Sequence, residues 1–155
     1  MKNEMKKKNN KGFSLVELIV VIAIMAVLMV VLAPAMLRYV EKTRLQKDDS
    51  AVSEVANAAE LALADETVYA AMANATEIKV TVPDNGDITA TLTGASSGAD
   101  KTKLEDEIKA TVGDKIDFAS KERGGQTATI TISYNTTRKA YVLDKTEWTT
   151  PTSNP

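Results

Sequence analysis

The most constraining feature of this chain is an uncharged apolar run near its amino terminus. No charged side chain occurs from Leu18 to Leu37, and the acidic residue Glu17 directly precedes the run. Twenty residues of α-helix span about 30 Å, which is the thickness of the hydrocarbon layer of a bilayer. The run is apolar on every side, which is typical of a helix that lies in lipid or inside an assembly. The run therefore predicts a membrane span rather than the core helix of a soluble protein.

The charge distribution predicts the orientation of this span. Residues 1–12 contain five lysines and one glutamate, a net charge of +4, whereas the whole chain has a net charge of −2. Basic residues next to an apolar span stay on the cytoplasmic side. We therefore expect the amino terminus inside and residues 38–155 outside. The acidic remainder disfavours nucleic-acid binding, which needs clustered Lys and Arg.

The residue types of the chain argue against an enzyme. It contains no Cys and no His, which excludes Cys/His zinc sites and Ser–His or Cys–His nucleophiles. No phosphate-binding loop, carboxylate pair or nucleophile motif is evident. Asp84, Asn85 and Asp87 fit turn chemistry better than a calcium site. We expect no catalytic residues, no metal, no cofactor and no small-molecule substrate.

A short motif precedes the apolar run. Residues 11–17 read Lys-Gly-Phe-Ser-Leu-Val-Glu, so that Glu17 lies four residues after Phe13. The motif, its basic leader and the apolar run resemble the type IV prepilins over roughly residues 6–45. The resemblance implies that a membrane-embedded aspartyl prepilin peptidase cuts between Gly12 and Phe13, removes residues 1–12 and methylates the new amino group of Phe13. Gly12 suits this step because a residue without Cβ allows close approach to the backbone.

The same resemblance implies roles for two further residues, Glu17 and Pro34. A carboxylate in hydrocarbon is costly unless it is paired, and the resemblance implies that Glu17 pairs with the amino group of Phe13 in its own or a neighbouring subunit during assembly. The alternative is a Glu17 that stays hydrated among the headgroups. Pro34 lies where many family members have a helix-loosening proline, and it should bend or locally melt the helix. An incidental proline in a membrane helix is the alternative.

The exported part shows a helical pattern and then strand patterns. Five apolar residues share one helix face, which predicts a helix that continues to about residue 73: Val52, Val55, Ala56, Ala59 and Leu63. Such a helix is about 90 Å long, so we expect its amino-terminal half (residues 13–37 as span and filament core) to protrude from the domain. Two alternating segments, 78–82 and 88–92, predict a hairpin with its turn at 83–86. A short helix is expected at 100–112, a second strand pair at 127–134 and 140–144, and an irregular tail from 146 to 155.

These elements predict an α+β fold of the type IV pilin kind, in which the long helix packs on an antiparallel sheet of about four strands. Many Gram-negative pilins close a carboxy-terminal loop with a Cys pair that this chain lacks, which fits a cysteine-free, Gram-positive branch. Loops at 94–98 and 121–126 and the tail are expected to face outward and to provide adhesion contacts.

The resemblance implies a structural subunit that polymerises into a helical surface filament for adhesion, twitching motility or biofilm formation. Its partners would be copies of itself, the prepilin peptidase, a platform protein and an assembly ATPase. The precursor would reside in the cytoplasmic membrane and the assembled form at the cell surface.

Three other interpretations stay open. A pseudopilin of a type II secretion or competence system would share residues 1–45. A single-pass membrane protein with an extracellular binding domain would keep its amino terminus. An ordinary signal peptide would be cut after Ala35. The charges of residues 38–49 fit either a solvated face or salt bridges between subunits, with Glu41–Arg44 and Arg44–Asp48 at helical pairing distances.

Overall fold

A computed structural model describes residues 13–72 and 74–150 of the chain. The predicted leader (1–12) and the end of the predicted tail (151–155) lie outside the described residues. The elements in chain order are α1 (Leu15–Ala64), α2 (Glu66–Ala71), β1 (Glu77–Pro83), β2 (Thr89–Thr93), α3 (Thr102–Val112), β3 (Thr127–Asn135) and β4 (Ala140–Thr149). The chain forms two compact units, one up to Val40 and one from Glu41.

The first unit consists of the amino-terminal part of α1. Every described residue from Phe13 to Val40 is exposed. Among the described residues, α1 is the one helix long and apolar enough to cross a membrane, by length and composition. Its apolar stretch is unburied, which distinguishes it from the core helix of a soluble protein.

The second unit begins with the remainder of α1, which packs in the core. The five apolar residues predicted to share one face are all buried, with Val55 and Ala59 fully inaccessible. Ala58 and Ala62 are buried beside them. The predicted packing face of the helix is therefore confirmed.

The predicted end of the long helix at about residue 73 was wrong. α1 ends at Ala64, and Asp65 has an extended backbone with φ −73° and ψ 129°. The Asp65 carboxylate accepts hydrogen bonds from the backbone N–H groups of Thr67 and Val68, so it caps the separate helix α2. A favourable cap for a new helix therefore replaced continuation of the old one.

The four strands form one antiparallel sheet in the order β2-β1-β3-β4. The predicted hairpin pairs Ile78 with Leu92, and β1 pairs Ile78 with Ile132 on its other side. Alternate residues of β1 and β3 are buried against the helices, including Val80 and Ile130. The α+β fold, in which the carboxy-terminal part of a long helix packs on a four-stranded antiparallel sheet, is confirmed.

The last strand extends beyond its predicted end at residue 144. β4 continues to Thr149, where the tail was expected to be irregular. Thr149 pairs with Thr127, and Trp148 pairs with Ala128. The prediction was wrong because the ladder offered by β3 and the strand preference of Thr and Trp outweigh the charges of this segment. A bulge between Thr131 and Ile132 shifts the register midway along the pair.

Helix α3 closes one edge of the sheet. Leu104 and Ile108 are fully buried on its inner face. The Glu105 side chain accepts a 2.6 Å hydrogen bond from the backbone N–H of Ala90, and Lys101 Nζ donates one to the carbonyl of Ala90 at 2.9 Å. These side chains satisfy outward polar groups of β2, which would otherwise be available for pairing with another chain.

Candidate functional site

The functional candidates of the first unit lie at the start of α1. Phe13 and Ser14 precede the helix, which begins at Leu15. The backbone N–H of Ser14 donates a 2.9 Å hydrogen bond to Glu17 Oε2. A carboxylate three residues after the N-cap position that returns to the N-cap N–H is one half of a capping box. Glu17 is also the acid of the first turn, where the helix dipole favours negative charge.

This geometry gives the Glu17 carboxylate a partner while residue 13 is still in peptide linkage. The Phe13 side chain is 92% exposed and makes no packing contact that would bury it. Phe13 and Glu17 therefore lie within one turn of each other at the end of the helix. Their roles in methylation and assembly stay predictions, and Gly12 lies outside the described residues.

An apolar hollow occurs farther along the same helix. It has a volume of about 360 Å³ and is lined by Val20, Ala23, Ile24, Val27 and Leu28. These residues recur at helical spacing on one face, and Ala23 provides the depression between larger side chains. A knob from another helix fits such a hollow.

Pro34 lies within α1, and the helix continues through it without interruption. Proline lacks the N–H that would bond to Val30 and crowds that carbonyl. The helix-loosening role of Pro34 stays a prediction.

In the second unit, acidic side chains of α1 accept hydrogen bonds from the loop that precedes β3. The buried Asp48 accepts hydrogen bonds from the backbone N–H groups of Ala119 (2.7 Å) and Ser120 (2.9 Å). Glu41 accepts one from the N–H of Lys121 at 2.7 Å. Carboxylates that receive backbone N–H groups form strong, charge-assisted hydrogen bonds.

Asp84, directly after β1, also accepts hydrogen bonds from this loop. Its carboxylate accepts from the backbone N–H groups of Phe118 (3.0 Å) and Gly125 (2.8 Å). Asp84 therefore serves a loop distant in sequence as well as lying at the predicted turn. Within the part of the chain that the structure describes, no group of three or more acidic side chains is arranged to hold a metal ion.

The predicted surface charges of α1 divide into two kinds. Arg44 lies 3.7 Å from Glu41, as expected for a helical pair. The expected Arg44–Asp48 pair does not form, because Asp48 is 2% exposed and binds the loop instead. The sequence did contain the signal: Asp48 lies four residues before Val52 and seven before Val55, on the buried face.

The outward loop predicted at 121–126 is partly buried by stacking. The Arg123 guanidinium lies 3.9 Å from the centre of the Trp148 ring and 3.3 Å from Asp49 Oδ1. Phe118 packs edge-on against Trp148 at 4.9 Å between ring centres. The loop is thus fixed by cation–π and aromatic contacts as well as by carboxylates.

A second concave feature, here called the tyrosine pocket, lies between α2 and one end of the sheet. It has a volume of about 180 Å³ and is lined by Tyr69, Ala70, Asn74, Tyr134 and Tyr141. Tyr134 and Tyr141 are cross-strand neighbours in β3 and β4. The sequence analysis did not identify this pocket, because its residues come from three elements whose juxtaposition only the fold decides.

The phenol groups of the pocket are held in position. Tyr141 donates a 2.9 Å hydrogen bond to the backbone carbonyl of Ala75, and burial raises the pKa of Tyr141. A hydrogen bond with Tyr134 raises the pKa of Tyr69, with burial as a smaller cause. The raised pKa values keep the Tyr69 and Tyr141 phenols neutral at physiological pH.

Comparison with known proteins agrees with the geometry of the amino-terminal segment. A family model described as "Prokaryotic N-terminal methylation motif" matches residues 7–33. The chain is 32% identical over 107 residues to "Prepilin peptidase-dependent protein A" of Clostridium perfringens (strain 13 / Type A), a match that covers 69% of this chain and 72% of that protein. No solved structure matches.

The motif match spans the first turn with Phe13 and Glu17 and most of the exposed apolar helix. The similarity to the clostridial protein extends over more than the length of that motif. Together with the helix-on-sheet fold, these findings show the family of the chain. It belongs to the type IV pilin (prepilin) family.

Proposed function

We propose that this chain is the precursor of a filament subunit that polymerises into a type IV pilus on the cell surface. The observation that carries the proposal is the exposed apolar part of α1, which has a single carboxylate at its amino-terminal end and a prepilin motif before it. The name of the clostridial relative supports dependence on a prepilin peptidase. The apolar helix and the motif are typical of a single-pass, membrane-anchored precursor.

The first step of the proposed pathway is hydrolysis of the Gly12–Phe13 peptide bond. Water supplies the atoms that leave Gly12 as a carboxylate and Phe13 as a free amine. The amine is mostly protonated at neutral pH, since α-amino groups have pKa values near 8. A methyl donor then converts it to a secondary amine, which keeps its positive charge.

Processing changes the best partner available to Glu17. Before cleavage, the carboxylate accepts the neutral N–H of Ser14 at 2.9 Å. After cleavage, a positive charge lies at Phe13, and the attraction between two opposite charges in an apolar surrounding then adds to the hydrogen bond. A Phe13 amine from the same or a neighbouring subunit then compensates the charge of Glu17 within the apolar filament core.

Assembly covers the exposed apolar surface of α1. Leaving lipid is favourable only if the apolar side chains from Leu15 to Leu37 are covered again. Packing against the same segment of other subunits covers them, and a head-to-tail contact that does not close gives a helical filament. The hollow lined by Val20, Ala23, Ile24, Val27 and Leu28 is suited to this packing.

The partners implied by this function are copies of the chain, the prepilin peptidase, a platform protein and an assembly ATPase. Its roles would be adhesion, motility or biofilm formation. The chain acts as a structural component, in keeping with a family of structural proteins.

The test is the intact mass and amino-terminal sequence of protein sheared from cells, together with electron microscopy of the sheared material. We expect a methylated Phe13 terminus and long filaments. The same terminus without long filaments would indicate a pseudopilin. A retained Met1 would indicate a membrane-anchored binding protein, and a start after Ala35 an ordinary signal peptide.

The Glu17→Gln variant tests the charge pairing. Gln retains an acceptor for the Ser14 N–H, as in other capping boxes, but lacks the charge. We expect an intact helix start, leader removal and no filaments. Glu54→Gln is the matched control, since Glu54 is an exposed acid on the same helix and its variant should assemble normally. Normal filaments from Glu17→Gln would contradict the role of the charge.

A further inference from the structure

We propose that the tyrosine pocket binds a single pyranose ring of a neutral glycan. All five lining residues belong to the second unit, so the proposal goes beyond filament assembly and does not depend on it. The pocket combines aromatic surface, phenol groups and an amide in a small concave space.

The shape of the pocket follows from the way the chain brings three tyrosines together. Tyr69 projects from the short helix α2, whose start is set by the Asp65 cap. Tyr134 and Tyr141 lie opposite each other in β3 and β4. Because Tyr141 is also tied to the carbonyl of Ala75, the pocket is anchored before any ligand arrives, which lowers the entropic cost of binding.

The volume of the pocket limits the ligand to about one ring. Sites for drug-sized molecules usually measure about 300–1,000 Å³, and this cavity measures about 180 Å³. A longer ligand would therefore place one unit in the pocket and extend the rest into solvent, as a glycan chain does.

The three tyrosine rings form one aromatic cluster. Tyr69 and Tyr141 meet edge-to-face at 5.5 Å between ring centres, and Tyr134 and Tyr141 do so at 5.3 Å. Edge-to-face packing is a favourable arrangement of aromatic side chains. Aromatic surface attracts cations as well as C–H groups, so the test below includes cationic probes.

The charge state of the pocket favours a neutral ligand. Its described lining residues are uncharged side chains. An anion or a cation would lose its hydration here without a countercharge, which is costly.

A pyranose matches what the pocket offers. One side of the ring presents C–H groups that pack on an aromatic face, and its edge presents hydroxyls that both donate and accept hydrogen bonds. Tyr phenols and the Asn amide are groups that do the same. Pockets that combine aromatic walls with a few polar groups are the usual form of small-ligand sites.

Asn74 adds an amide to the aromatic lining of the pocket. Its backbone has φ +61°, in the left-handed region. Asparagine adopts this conformation more readily than most residues, because its short polar side chain can form local hydrogen bonds. The conformation places the one amide side chain among the lining residues at the rim, where it is exposed and available to a hydroxyl.

The test is saturation-transfer NMR on the full chain in micelles of a detergent without a sugar headgroup, because a glycoside detergent would compete. The probes are the methyl glycosides of glucose, galactose, mannose and N-acetylglucosamine, with choline and lysine as cationic probes. We expect saturation of the ring protons of at least one glycoside and none for choline or lysine.

Two variants locate the binding. Asn74→Gly keeps the left-handed backbone accessible and removes the amide, and it should weaken glycoside binding about tenfold, as expected from the loss of about one hydrogen bond. Asn85→Gly is the matched control, since Asn85 also has a positive φ (+51°) but does not line the pocket. Its affinity should equal that of the unmodified chain.

Several outcomes would overturn the proposal. These are no transfer to any of the four glycosides, equal weakening in both glycine variants, or no change in Asn74→Gly. Asn74→Asp distinguishes the ligand classes, because a carboxylate would strengthen the binding of choline or lysine. Detectable cation binding that Asn74→Asp strengthens would replace the glycan assignment with a cation site.

Discussion

At the scale of single residues, carboxylates do most of the positioning in this protein. Asp48, Asp84 and Glu41 hold the loop before β3 through its backbone N–H groups. Glu17 does the same for the first turn of α1. In each case an acid accepts N–H groups that no secondary structure satisfies, which is why these side chains are placed so specifically.

Asp48→Ala is predicted to destabilise the second unit. The substitution leaves the N–H groups of Ala119 and Ser120 without their acceptor in a buried place, at a cost of about 1–3 kcal/mol. Chemical denaturation of the full chain in micelles, followed by Trp148 fluorescence, measures the effect. Glu54→Ala is the control, because Glu54 is an exposed acid on the same helix. Equal midpoints for the two variants would contradict the structural role of Asp48.

Stability is predicted to fall at acid pH through two further carboxylates. Hydrogen bonds from the Thr67 side chain, and then from backbone N–H groups, lower the pKa of Asp65. The Thr102 side chain and backbone lower the pKa of Asp100 in the same way. A carboxyl whose folded pKa is lower than its unfolded pKa contributes fully above the unfolded value, and its contribution is lost as pH falls through the folded value.

The window for this loss is therefore below about pH 4. The double variant Asp65→Asn, Asp100→Asn keeps an acceptor oxygen at both positions but removes their titration. Its urea midpoint should change less between pH 5 and pH 2 than that of the unmodified chain. Identical pH profiles would show that the two carboxylates do not contribute to the loss of stability.

At the scale of elements, the helices and strands begin and end where side chains satisfy backbone groups. Asp65 stops α1 and starts α2. Glu105 of α3 and Lys101, the residue before α3, bind the outer polar groups of Ala90 in β2. β4 extends to Thr149 because β3 provides a paired ladder over that length. Local propensity alone predicted other ends for two of these elements, residue 73 for α1 and residue 144 for β4.

Pro34 leads to a prediction about α1. Proline removes one backbone hydrogen bond and crowds the carbonyl of the preceding turn. Amide hydrogen exchange in residues 30–37 should therefore be faster than in 20–27, and Pro34→Ala should slow it. Exchange measured by mass spectrometry on the micelle-bound chain tests this. Unchanged rates in Pro34→Ala would exclude a loosened segment at this position.

At the scale of the whole molecule, the two units depend on different surroundings. The described residues up to Val40 have no buried side chain, whereas the buried hydrophobic residues lie between Val52 and Ile132. The second unit thus has its own core, and the first needs lipid or neighbouring subunits to cover its apolar surface.

A chain that begins at Arg38 is accordingly predicted to fold without detergent. It keeps Glu41, which accepts the N–H of Lys121, and all of the buried core. Its urea midpoint, followed by Trp148 fluorescence, should match that of the full chain in micelles. Loss of a cooperative transition would show that the second unit requires the apolar part of α1.

The sequence by itself determined the apolar helix, the pilin family, the helix-on-sheet fold and the buried face from Val52 to Leu63. These follow from periodicity, from a local motif and from hydrocarbon length, all of which are readable along the chain. The roles of Gly12, Phe13, Glu17 and Pro34 also come from the sequence, and they stay predictions until processing and assembly are measured.

Only the tertiary structure decided the break at Asp65, the full length of β4, the burial of Asp48 and the tyrosine pocket. Each depends on a partner far along the chain or on competition between two local structures. The Asp48 carboxylate, for example, binds residues more than seventy positions away. Such contacts arise when packing places distant backbone groups beside a side chain, and local sequence patterns do not encode that proximity.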